Sequence, residues 1–138
     1  VKDKALKWLR EWEGLINKVD FAAARQLFAD DVVSFGTFAE MLHGLDDLER
    51  RQWHKIWPTI ADFTFEKPEI LRAEDGAGIA AIVVLWHSRG KTGDGGWYPR
   101  KGRATLILKE EKKGKLRCIH SHLSMEPGIP PLADQEAG

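Results

Sequence analysis

The chain has 138 residues, enough for one domain with a real core and too few for two of ordinary size. Its 21 lysines and arginines balance 21 aspartates and glutamates, so the basic footprint of a nucleic-acid binder is missing. No apolar run reaches the roughly 20 residues of a membrane helix, the amino-terminal residues lack a signal-peptide apolar core, and one cysteine, Cys118, excludes an internal disulfide. The expectation is a cytoplasmic protein with neither nucleic acid nor membrane as partner.

From Ala5 to Val19, apolar residues at 5, 6, 9, 12, 15, 16 and 19 mark one buried helix face, with Trp12 inward. Asp20 stands where an N-cap belongs, ahead of a short second helix over Phe21 to Phe28. Asp30-Asp31 breaks that helix, and Val32 to Phe35 suits a short strand. A third helix is expected over Leu45 to Trp57, with Asp46 and Asp47 at its positive end and Pro58 after its last turn. The period then changes. Phe63 to Arg72, Ile79 to Ser88, Trp97 to Lys109 and Leu116 to Met125 read as strands joined by polar, glycine-bearing turns.

Helices first and strands afterwards define an α+β domain, with helices packed on one face of an antiparallel sheet. A long, twisted sheet should curl around the three N-terminal helices into a cone-shaped barrel, leaving a cavity between the layers. The single domain is expected over residues 1–127, with a loose, proline-bearing tail over 128–138.

This order resembles the superfamily of nuclear transport factor two, ketosteroid isomerase and SnoaL-like proteins, which implies a cystatin-like fold. The resemblance is carried by Trp12 to Asn17, Asp20-Phe21, Leu27 to Val32, Gly44 with its charged helix, Gly102 to Thr105, and Ile119 to Pro127. The histidines and serine of the last strand look most like the SnoaL-like branch that includes the calcium/calmodulin-dependent kinase association domain. Aligned on Phe28-Ala29-Asp30-Asp31, the isomerase's oxyanion-hole tyrosine is replaced by Trp12, and its general-base aspartate falls on or beside Gly36. An indole lacks a phenol's acidity and glycine cannot take a proton, so isomerisation by the usual tyrosine–aspartate mechanism is not expected.

Residues two apart on a strand share a face, so His120 and His122 should project together with Cys118 and Ser124. On the concave side they are candidates for acid–base catalysis or anion binding. Arg103 and Thr105 lie on the neighbouring strand. A turn at 110–115 would set Arg103 opposite His122, forming an anion site whose affinity rises toward acid pH. Trp12, Trp53, Trp57 and Trp86 fall on inward faces and can converge on a flat ligand, while Tyr98 offers a phenol at the cavity mouth. His54 is expected exposed, and His87 on the opposite side of its strand from Trp86.

Two histidines without a third ligand do not make a metal site, and no cofactor motif is present. Gly90-Lys91-Thr92 fails as a phosphate-binding loop because Leu85 stands where its first glycine should be. Two functions stay open. One is a pocket for a small organic molecule, anionic in one version, with acid–base chemistry of cyclase, isomerase, dehydratase or hydrolase type. The other is a non-catalytic association or ligand-sensing module. Ile79 to Trp86 is apolar in both phases, and a strand buried on both faces calls for a homodimer.

Overall fold

The computed structural model describes residues 2–72, 78–128 and 131. Helix α1, Lys2–Lys18, buries Ala5, Trp8, Leu9, Trp12 and Ile16 along one stripe. Helix α2, Phe21–Arg25, starts at Asp20, whose carboxylate accepts from Ala23 N–H at 3.1 Å. It ends three residues earlier than expected, because fully buried Phe28 opens strand β1, Phe28–Phe35, which carries Asp30 and Asp31 exposed. After the two-residue strand β2, Leu42–His43, the third helical segment is not uniform. It runs as α3, Leu45–Leu48, a π-helical turn over Glu49–Trp53, α4, His54–Ile56, and a 3-10 turn over Trp57–Thr59. The wide turn brings Gln52 and Trp53 to the interior together.

Four long strands follow: β3 Ile60–Arg72, β4 Ile79–Lys91, β5 Trp97–Glu110 and β6 Leu116–Met125. The six strands form one sheet in the order β2-β1-β6-β5-β4-β3. The α+β class is as expected, but the sheet is mixed, since β1 runs parallel to β6, and it is curved rather than closed. The expected tail over 128–138 falls outside the described residues except for Gly128 and Pro131.

Curvature has a local cause. Strand β3 shifts register twice, at Ala61/Thr64 and Glu66/Glu69, and within those irregularities Asp62 and Lys67 adopt positive φ of 54° and 53°. Such bulges bend a strand and increase its twist. The bent edge is then covered by α1. Asn17 exchanges two 2.8 Å bonds with the Phe63 backbone, Glu13 accepts from Phe65 N–H at 2.7 Å, and Arg10 donates to the Phe65 carbonyl at 2.9 Å. Those side chains satisfy backbone groups that an open edge leaves unpaired. They also clamp the helix layer over the sheet, which sets the height of the space between.

Along β4 and β5 the even-numbered residues Ile82, Val84, Trp86, Ala104, Leu106 and Leu108 face the helices and are buried. Strand β6 changes phase at an irregularity between Ile107/Leu108 and their partners: Leu108 pairs with Cys118, but Ile107 pairs with His120. Ile119 is the extra residue. Cys118 therefore shares the inner face with Ser121, and the expected common face of Cys118 with His120, His122 and Ser124 is corrected.

Candidate ligand cavity

Between the helices and the inner sheet face lies a cavity of about 30 Å³, walled by Trp12, Ile16, Gln52, Trp53, Trp57, Trp86, Arg100 and Ser121 among others. That volume has room for one or two waters; the rest is filled by the protein's own aromatic rings. Trp53 stacks on Trp57 at 4.7 Å and meets Phe28 edge-on at 5.0 Å; Trp12 meets Phe28 edge-on at 5.1 Å; Trp86 stacks on Phe63 at 5.4 Å. The four inward tryptophans of the sequence pattern thus stand around one space.

The charged group in this wall is Arg100, which the sequence reading passed over. It is 5% exposed, and no carboxylate lies within salt-bridge distance of it among the described residues. Its guanidinium donates to Ser88 Oγ at 3.2 Å, reaches the Met125 sulfur at 3.9 Å, and lies 5.2 Å from the Trp86 ring centre. Burial pushes its pKa down, opposed by the Tyr98 phenol. Tyr98, two residues away on the same strand face, is half exposed, with its ring over Gly90. Gln52 sits at another side of the cavity, accepting from Phe38 N–H at 3.0 Å and donating to Thr37 Oγ1 at 3.0 Å. It fastens the Gly36–Met41 loop down. Ser121 Oγ is paired with Ser34 Oγ at 2.7 Å.

The histidine–arginine site is placed differently from expectation. Arg103 pairs with Ser124 and Thr105 with His122, two residues off the expected register: the turn holding the 3-10 segment Lys112–Gly114 accounts for one and the bulged Ile119 for the other. Arg103, His122 and Ser124 lie on the outer face, in an open groove of about 550 Å³ shared with Lys67 and Glu69. His120 is also on that side. Its Nδ1–H donates to the Val33 carbonyl at 2.7 Å, and Phe35 packs edge-on against both imidazoles. The side chains of Arg103, His120, His122 and Ser124 do not line the cavity of the tryptophans. His54 is exposed on Phe21 and bonded to Glu49 at 2.8 Å, and His87 pairs with Glu66 at 3.0 Å.

Cys118 is fully buried, and burial pushes its thiol well up from the ordinary range. A thiol-specific chromogenic reagent at mildly alkaline pH is expected to leave the native protein unlabelled and to count one thiol after denaturation. Rapid labelling of the native chain would mean that β6 opens readily.

A helix layer clamped over a curved, open sheet, with aromatic rings and one buried cation between them, defines the α+β domain. The SnoaL-like domain family matches residues 9–116, and the chain belongs to that family. No curated protein matches the sequence. Solved structures share the fold. A nuclear transport factor 2-like superfamily protein of Salmonella enterica is 16% identical, with 96% of this chain and 95% of that one covered and a TM-score of 0.80. A ketosteroid isomerase-like protein of Erwinia carotovora is 18% identical over 93% and 95%, at 0.75. The association domain of C. elegans CaMKII is 14% identical over 89% and 94%, at 0.70. Among the described residues no helix is long and apolar enough to cross a membrane.

Proposed function

We propose that this SnoaL-like domain binds a small organic carboxylate at the cavity, with Arg100 holding the carboxylate and the tryptophans parting to hold its apolar body. The observation that carries the reading is the buried guanidinium without an acidic partner among the described residues. Burying a cation is costly unless an anion joins it, and a guanidinium matches a carboxylate with two parallel hydrogen bonds. The described lining residues include neither imidazole nor carboxylate, which favours a binding or sensing role over acid–base chemistry. The test is calorimetric titration with short carboxylic acids. Saturable binding of equal strength at about pH 6 and about pH 8 is expected, because a guanidinium stays charged throughout. Affinity that rises steeply toward acid pH would return the site to the histidines of the outer face.

The proposed partner of the outer face is a second copy of this chain. Leu85, midway along β4, is 43% exposed in the groove that carries both Arg103 and Glu69, and Ile79 at the start of the same strand is 42% exposed. A two-fold axis can set the acid of one copy against the base of the other while covering the leucines. Light scattering is expected to give twice the 15.6 kDa of the chain at micromolar concentration, and Leu85→Glu to return it to a single chain. A single-chain mass for the native protein would defeat the dimer.

A further inference from the structure

Resting on the carboxylate reading of the cavity, we infer that Trp12 is a second polar anchor there, a fixed N–H donor for a carbonyl oxygen, so that the ligand class is a short oxo-carboxylate. Trp12 is 2% exposed, and its Nε1 is the buried side-chain polar atom without a hydrogen-bond partner among the described residues. Two other buried indoles are satisfied: Trp8 donates to the Leu27 carbonyl at 3.0 Å and Trp86 to the Arg103 carbonyl at 3.1 Å. A buried donor left unpaired carries a desolvation cost that folding does not recover, and an acceptor that reaches it removes that cost.

Two polar side chains of the cavity wall are already engaged. Ser121 is bonded to Ser34, and Gln52 to Thr37 and Phe38. Trp12 on α1 and Arg100 on β5 thus offer buried donors to a ligand, one from each layer of the fold. An indole N–H donates and never accepts. A carbonyl oxygen suits it, because it brings acceptor lone pairs and no proton of its own. A ligand hydroxyl would introduce a donor into a wall already rich in donors. The free volume of about 30 Å³ is that of one or two waters, so an acid must displace them and part the aromatic walls, which a short flexible chain does at less cost than a large ring system.

The test uses two pairs of acids matched in size: 4-oxopentanoate against 4-methylpentanoate, and 5-oxohexanoate against 5-methylhexanoate. In the native chain at least one oxo-acid is expected to bind about fivefold tighter than its methyl counterpart, the worth of one ordinary hydrogen bond. The assigned Trp12 indole N–H resonance should move downfield with that acid and stay put with its counterpart. In Trp12→Phe the preference should vanish while the methyl acid keeps its affinity. Arg100→Met should remove binding of all four. Equal binding within both pairs with a stationary Trp12 resonance, all still dependent on Arg100, would overturn the Trp12 anchor and leave the carboxylate reading standing. Binding of none, or binding indifferent to Arg100→Met, would overturn both. If Trp12→Phe does not fold, the native chain's paired affinities and its indole resonance decide the matter.

Discussion

Gly102→Ala is expected to cost about 3 kcal/mol of stability or more, the upper range for forcing an atom into a filled core. A Cβ at residue 102 would stand 2.0 Å from the Ser124 carbonyl oxygen and 2.3 and 2.4 Å from two carbons of the Trp86 ring. Neither neighbour can yield easily. The carbonyl belongs to β6, paired against β5, and the indole is held by Phe63 stacking and by its bond to the Arg103 carbonyl. The glycine is thus required by close approach rather than by its backbone angles. Because Trp86 also supports Arg100, the substitution should weaken acid binding along with stability. Gly14→Ala in α1 is the control of opposite sign: nothing lies within 4 Å of its Cβ, and a helical glycine replaced by alanine gains roughly 0.5–1 kcal/mol. Urea midpoints measure both. An unchanged midpoint for Gly102→Ala would mean that Trp86 has somewhere else to go.

The element order was readable because period and punctuation agree along most of the chain. Stripes at three and four residues gave way to alternation after Pro58, and Asp20 caps α2 as its position suggested. The inward tryptophans were readable for the same reason. Arg100 was legible too, through a signal that was overlooked. In β5 the buried phase is Gly102, Ala104, Leu106 and Leu108, and Arg100 continues it, whereas Arg103 falls in the phase of Lys101 and Thr105. Following the apolar phase upstream would have put the arginine of the cavity two residues before the glycine. The faces of β6 were not legible. A single bulged residue, Ile119, reverses the phase of every later side chain, and nothing in Cys118-Ile119-His120 marks it. The π-helical turn was equally hidden, since its residues fit an α-helical pattern as well.

Arg100→Met is expected to raise the stability of the ligand-free protein by about 1–3 kcal/mol while removing its affinity for carboxylic acids. Both effects have one origin. The guanidinium has left water for a wall of aromatic rings, and within the fold it recovers a hydroxyl, a sulfur and the face of an indole. Methionine has a similar length, packs well against Trp86, and leaves no charge to desolvate. A bound carboxylate reverses the balance, because each charge-assisted bond in a buried site contributes about 1.5–3 kcal/mol. Arg100→Lys should lie between, keeping the charge but losing the planar fork that grips two oxygens. Thermal unfolding with and without a short acid separates the terms: the native protein should gain melting temperature on adding acid, and Arg100→Met should start higher and gain nothing. A variant that melts lower than the native chain and still responds to acid would mean that Arg100 is a structural cation, and that the carboxylate, if one binds, is held elsewhere.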